Sequence, residues 1–308
     1  MNPFQMILAT CCLPLVAAQD SSGSEVALPY HVKTNVVYAE VHGVGLLMDV
    51  FTPVHGNNGH AIVEVTSGAW HSDRDKLDDL KKARVFEILC GHGYTVFAIR
   101  PGSITKFGAL EMVDHVERGI RWVKANSQDY EIDPDKLGLM GASAGGHLAC
   151  LVAVTNGGRM EKNDSSVAAV GVFFPPTDFL DYGGVRLDPH SAGRLGELIR
   201  ALAFPAGVDG LDDEQVKQGI TAISPARRVT KVAPPFLLIH GGLDLLVPLQ
   251  QSRTMVAALK DKGVPAQLII KKGGGHPWPT VYEEVTVLAD WFDRQLDANK
   301  RRTLPRGS

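Results

Sequence analysis

The chain passes from a buried strand to a buried helix within one pentapeptide, Gly141-Ala142-Ser143-Ala144-Gly145. Lys136 to Met140 reads as a short strand, and Gly146 to Val154 as an apolar helix. A strand and a helix joined so abruptly run close together, which only small residues permit. In that setting the pattern Gly-x-Ser-x-Gly puts Ser143 on a strained turn, with its hydroxyl lifted above a sheet. The adjoining helix N-terminus favours developing negative charge. Ser143 is therefore a candidate nucleophile.

A hydroxyl nucleophile needs a base, and the base needs an orienting acid. Two downstream loops offer them, each directly after a strand. Pro235 to His240 reads as a buried strand and leads into Gly241-Gly242-Leu243-Asp244. Ala266 to Ile270 reads as another and leads into Lys271-Lys272-Gly273-Gly274-Gly275-His276-Pro277. The candidate triad is Ser143, Asp244 and His276, in that chain order. His147 is a weaker base, because a side chain one turn along the helix points back over the preceding turn. His240 reads as a core histidine with its hydrogen bonds met internally. Asp178, in Pro175-Pro176-Thr177-Asp178, is a rival acid. Glu64, on a strand, has no explanation in the sequence.

The order of the three residues is that of α/β-hydrolases and differs from the orders in the two large serine protease folds. With Asp133 to His147, Ser224-Pro225, Pro234-Pro235, His240 to Asp244 and Val247-Pro248, the chain resembles the esterases of that fold. It stands near the lipase, acetylxylan/feruloyl esterase and kynurenine formamidase-like group, over about residues 35–297. The resemblance implies hydrolysis of short-chain acyl esters through an acyl-enzyme, with acetyl or feruloyl groups of plant polysaccharide among the substrates. It implies no metal and no cofactor. Amidases, peptidases and lipases share the fold, and a non-catalytic binding module on the same scaffold is a further alternative. Many relatives carry His-Gly-Gly-Gly after the third strand, where this chain has Thr66-Ser67-Gly68-Ala69-Trp70. The resemblance makes the N–H of Ala144, paired with that of Gly68 or of Ala69, the donors to an oxyanion, with the Ser67 hydroxyl as an additional donor. Trp70, Phe174 and Trp278 are candidate walls of a substrate pocket.

The rest of the chain fits an α/β fold with a mostly parallel, doubly wound sheet. Asn35 to Glu40 and Val44 to Phe51 alternate as a hairpin turned at His42-Gly43. Ala61 to Val65, Tyr94 to Arg100 and Val167 to Phe174 read as strands. Arg74 to Gly91 reads as one amphipathic helix. Phe107 to Asn126 reads as another, with Leu110, Val113, Val116, Ile120 and Val123 on its apolar stripe. Helices over 249–262 and 280–298 complete the alternation. Residues 179–226 interrupt it with one helical patch, Ala192 to Ala203, and read as a small cap over the pocket.

The 308 residues, 44% of them hydrophobic, suffice for one large core, placed over 35–298. A net charge of −3 leaves no electrostatic footprint for nucleic acid. No later apolar run is long enough to span a membrane. Met6 to Ala18 reads as a secretory signal cleaved after Ala18, so the protein is expected to be secreted or periplasmic, with 19–34 a flexible segment. Residues 299–308 read as a tail. Of the four cysteines, Cys11 and Cys12 leave with the signal, and Cys90 and Cys150 read as buried free thiols. No Cys or His cluster has metal-ligand spacing.

Overall fold

The computed structural model describes residues 27–155 and 165–298. The expected signal (1–18) and the tail (299–308) lie outside the described residues. Eight strands form one sheet: β1 (Tyr30–Val41), β2 (Val44–Pro53), β3 (Ala61–Val65), β4 (Thr95–Ile99), β5 (Leu137–Ala142), β6 (Ala169–Phe173), β7 (Phe236–Gly241) and β8 (Ala266–Lys271). Their order is β1-β2-β4-β3-β5-β6-β7-β8. β2 pairs antiparallel with β1 and β4, and every other neighbouring pair is parallel. β1 begins at Tyr30, so the segment expected to be flexible to residue 34 enters the sheet early.

This order has a consequence for function. From β3 the chain steps outward to β4, then returns to place β5 on the other side of β3. The loops leaving β3 and β5 therefore diverge and open a crevice at the carboxyl ends of the strands, where ligands bind in such sheets. Ser143, Asp244 and His276 all follow strands at that edge.

The two sheet faces carry separate cores. Ala61, Val63 and Val65 of β3 join one, with α3 (Ala109–Ala125), α4 (Ala144–Thr155) and α7 (Gln250–Asp261). Ile62 joins the other, with α1 (Asp75–Lys82), α2 (Val85–Gly91) and α8 (Val281–Ala298). α4 is buried on all sides from Ala144 to Val154, as a helix with no polar face must be, and His147 is the one side chain in that run with polar ring atoms. Cys90 and Cys150 are free and buried on opposite faces, which excludes a bridge between them.

Two helical expectations need correction. Arg74 to Gly91 is two helices, because Arg84 adopts a left-handed conformation at φ 56°. Val85 lies five residues beyond Leu80, off the three-to-four spacing of one helical face, and the break turns both apolar sets toward the sheet. Leu110 is not on the buried stripe of α3 but is 48% exposed, and Ala109 and Met112 take its place. In the same helix Gly119 lets the backbone meet β4, since a Cβ there would lie 2.3 Å from the Ile99 side chain.

The insertion holds two helices rather than one, α5 (Arg194–Ala203) and α6 (Asp213–Ala222). α6 opens with a reciprocal capping box between Asp212 and Gln215. Ile199, Leu202, Val216 and Ile220 seat the pair on the α3–α4 face.

Candidate active site

β5 ends at Ala142, and Ser143 turns the chain into α4 at φ 53°. The turn is tight enough that a Cβ on Gly145 would lie 2.1 Å from the Val65 carbonyl oxygen, and one on Gly141 2.5 Å from the Gly145 backbone. These approaches explain both glycines of the motif. The Ser143 N–H donates to the Phe173 carbonyl (2.9 Å) and the Gly145 N–H to that of Ser67 (3.1 Å), tying the turn to β6 and to the β3 loop.

His276 arrives on the loop after β8. Its Nε2 lies 2.9 Å from Ser143 Oγ, and its Nδ1 lies 2.6 Å from Asp244 Oδ2. An N–H at Nδ1 donates to the carboxylate and leaves Nε2 to accept the serine proton. The Phe174 ring, its centroid 4.3 Å from that of the imidazole, packs against His276. Asp244, on the loop after β7, has a fully buried carboxylate. Its Oδ1 accepts from the Leu246 and Val247 N–H groups, both at 2.9 Å. Burial opposes its ionisation, but hydrogen bonds from His240, His276 and Val247 outweigh that cost and hold the carboxyl well below the usual carboxylate range.

The rivals are occupied elsewhere. His147 accepts from Trp70 Nε1 (3.0 Å) and donates from Nε2 to the Ile223 carbonyl (2.7 Å). Burial lowers its pKa to about 4, so it is a neutral structural group. Asp178 forms an ion pair with Arg227 (2.6 Å) beside the start of the insertion. His240 is buried as expected, donating to the Val247 carbonyl (2.9 Å) and accepting from Ser252 Oγ (2.7 Å). The sequence did not reveal that the same Nε2 stands 3.3 Å from Asp244 Oδ2, on the strand residue four before the acid.

The loop after β3 alters the expected oxyanion donors. Gly68 and His71 exchange two backbone hydrogen bonds, each 2.9 Å, around a reverse turn. The Gly68 N–H is thereby consumed and is not a free donor. The central residues, Ala69 at φ 47° and Trp70 at φ 59°, adopt the paired positive angles of a type I′ turn. Among the described residues, the N–H groups of Ala69 and Ala144 have no protein acceptor. The Ser67 hydroxyl is buried, borders the cavity and has no partner among the described residues.

A cavity of about 670 Å³ opens at Ser143 and His276. Trp70 and Phe174 line it, as does the insertion through Phe179, Tyr182, Leu187, Leu195 and Leu198. Trp278 does not: it lies behind Phe174 and donates from Nε1 to Glu284 (2.7 Å). Glu64 and Met140 also border the cavity. Among the described residues, the donors that converge closely enough for a cation, His92, Asp290 and Asp293, lie at the opposite end of the sheet, where Asp293 already accepts from Tyr94. No helix among the described residues is long and apolar enough to cross a membrane.

Comparison with known proteins agrees with this architecture. "Truncated form of carbohydrate esterase from gut microbiota" superposes with a TM-score of 0.72 at 25% identity, covering 87% of this chain and 98% of its own. An esterase from Thermogutta terrifontis shares the fold, with a TM-score of 0.63 and 22% identity over 91% of this chain and 95% of its own. Two proteins of Mycobacterium tuberculosis (strain ATCC 25618 / H37Rv) are similar in sequence. Probable carboxylic ester hydrolase LipM is 35% identical over 157 residues, 47% of this chain and 32% of its own length. Esterase LipQ is 28% identical over 217 residues, 68% of this chain and 47% of its own length. The chain thus spans about a third to a half of the length of these curated relatives. The BD-FAE family model matches residues 48–259, from β2 through most of α7, and with more than half of the chain inside that match the protein belongs to the BD-FAE family of the α/β-hydrolase fold.

Proposed function

We propose that the protein is a carboxylic ester hydrolase that works through a Ser143 acyl-enzyme. The observation that carries this is the continuous hydrogen-bonded chain Ser143 Oγ–His276 Nε2 (2.9 Å) and His276 Nδ1–Asp244 Oδ2 (2.6 Å), with Ser143 and His276 lining a large cavity. Ser143 Oγ attacks the ester carbonyl while His276 Nε2 takes its proton. The Ala69 and Ala144 N–H groups hold the tetrahedral oxyanion, a task worth roughly 3 kcal/mol per donor. His276 then passes the proton to the leaving alkoxide, and the acyl group stays on Ser143. Water enters and gives a proton to His276 as its oxygen attacks the acyl carbonyl. The intermediate then collapses by breaking the bond to Ser143 Oγ, which takes the proton back from His276 Nε2 and frees the acid. Asp244 stays ionised throughout, fixing the imidazole tautomer and balancing the imidazolium.

The substrates are small-molecule or glycan esters, and acetyl or feruloyl groups on plant polysaccharide are one set supported by the likeness to a carbohydrate esterase. The cavity volume supports an acyl group larger than acetyl, since a site of this size encloses a drug-sized ligand. The apolar segment Met6 to Ala18 supports export. The test is hydrolysis of p-nitrophenyl esters from acetate to palmitate by wild type and Ser143→Ala. Turnover that falls about 10⁴-fold or more in the variant supports the reading. Absence of turnover at every chain length defeats it and leaves an amidase or a binding module.

A further inference from the structure

The cavity lies across the carboxyl edge of the sheet and takes its lining from the cores on both faces, which gives it a limb on each. One runs under the insertion, between Trp70, Phe179, Leu187 and Leu198. The other descends on the opposite face, walled by Leu80, Ala83, Val85, Val281 and Val285 of α1, α2, α8 and their junctions. Strand alternation assigns the floor of this second limb. Ile62 packs on the α2–α8 face, so Glu64, two residues on, faces the same way. Met140, opposite Glu64 in the β3–β5 register, belongs to that core as well. Ser143 and His276 line the same cavity.

Glu64 is out of place in such a limb. It is 1% exposed, and among the described residues the one hydrogen bond it receives comes from the Thr66 hydroxyl, on Oε2. No cation pairs with it among the described residues. Of the other charged groups that border the cavity, Lys76 and Asp79 sit on α1 and Asp73 just before it, and Glu283 and Glu284 of α8 are held by Lys271. Burial raises the Glu64 carboxyl to about 8, so near neutral pH it is an uncharged acid with a proton to donate. A buried polar group with unused hydrogen-bonding capacity lowers stability until something completes it. Packing alone would be served as well by a second methionine beside Met140.

We propose that this limb receives the acyl group of the ester and that Glu64 selects acyl chains bearing an oxygen away from the carbonyl, by hydrogen-bonding that oxygen. The inference rests on the ester-hydrolase reading above and adds a substrate class to it: hydroxylated aliphatic acyl groups. The Glu64 carboxyl donates to the hydroxyl oxygen. An unsubstituted chain of the same length leaves the carboxyl unpaired, and buried groups left unpaired are the strongest source of discrimination against such an analogue.

The test compares p-nitrophenyl hexanoate with its 3-hydroxy and 6-hydroxy derivatives, and octanoate with 8-hydroxyoctanoate. Wild type, Glu64→Gln and Glu64→Met are assayed together, and thermal melts establish that each is folded. Wild type should favour at least one hydroxylated ester over its parent by about 10-fold or more in kcat/KM. That ratio should fall to about one in Glu64→Met and persist in Glu64→Gln, which keeps a donor. Calorimetric binding of the matching methyl esters to Ser143→Ala repeats the comparison without hydrolysis. Loss of turnover on every ester, with binding preference intact, would therefore defeat the hydrolase reading alone. A wild type indifferent to the hydroxyl in both assays, or a preference unchanged in Glu64→Met, overturns the assignment.

Discussion

His240 Nε2 lies 3.3 Å from Asp244 Oδ2, the oxygen that His276 Nδ1 approaches from the other side at 2.6 Å. The proposed acid is thus held by two imidazoles, one at the reacting centre and one fully buried. Ser252 Oγ, 2.7 Å from His240 Nδ1, donates there and fixes the tautomer that carries its proton toward Val247 and Asp244. Hydrogen bonds to a charged group contribute about 1.5–3 kcal/mol. His240→Leu should lower kcat by about 10- to 100-fold with little change in KM. The acid limb of the pH–rate profile should also move to higher pH. Asp244 is held ionised partly by His240, and with that donor gone it takes up a proton sooner as pH falls. Ser252→Ala should show a weaker form of the same shift. A His240→Leu profile that falls in height without moving would make His240 a packing residue only.

Trp70 and His147 tie the proposed oxyanion loop to α4 and, through the Ile223 carbonyl, to the end of the insertion. His147 is fully buried, and its lowered pKa of about 4 keeps it neutral, so Nδ1 must accept. Trp70→Phe leaves that nitrogen unpaired, at a cost of about 1–3 kcal/mol. The melting temperature should drop by several degrees, and kcat should fall about 10-fold as Ala69 loses its anchor. Adding His147→Leu removes the orphaned nitrogen but takes the donor from the Ile223 carbonyl, so the double variant should lose less stability than the two single changes summed and should not recover the rate. Additive losses in the double variant would mean that the two side chains are not coupled.

Ala69 and Trp70 occupy positive φ angles of 47° and 59° without being glycine. An L-residue there is strained by about 1 kcal/mol. Ala69→Gly should raise the melting temperature by about 2–4 °C. Ala69→Val, β-branched and intolerant of positive φ, should lower it and reduce kcat with it. The comparison is read from melts and initial rates on one ester. A valine variant as stable as the alanine would show that the turn relaxes out of this geometry.

The parts of the site written plainly in the sequence are those where close backbone approach demands glycine. Gly141 and Gly145 mark the Ser143 turn because no Cβ fits there. Gly241 marks the acid loop for the same reason, a Cβ lying 2.4 Å from the Gly274 carbonyl oxygen. Features set by tertiary packing left no such mark. The break at Arg84 has neither Gly nor Pro. The capping box at Asp212 and Gln215 was present in the sequence as a Asp-x-x-Gln signal, yet α6 is short and polar outside Val216 and Ile220. The loss of Gly68 as a donor depends on a turn built from Ala and Trp, which residue preference alone would not suggest. His240 and Glu64 each read as an isolated polar residue on a strand. Their meaning comes from what the fold brings alongside, the Asp244 carboxylate in one case and the cavity in the other.

Glu64 makes stability depend on pH in a direction set by its burial. Desolvation raises its pKa from 4.5 in the unfolded chain to about 8 in the folded protein, with the Thr66 hydrogen bond opposing only in part. Between those values the folded state holds a proton that the unfolded state has released. Stability from this group is therefore complete below about pH 4.5 and declines as pH rises toward about 8. Glu64→Gln removes the titration while keeping shape and hydrogen bonding. Its melting temperature relative to wild type should rise steadily from pH 5 to pH 8, while the histidines shared by both proteins cancel in the difference. An offset between the two melting curves that is constant over this range would mean that Glu64 ionises in the folded protein at an ordinary pH, with water or a cation reaching it.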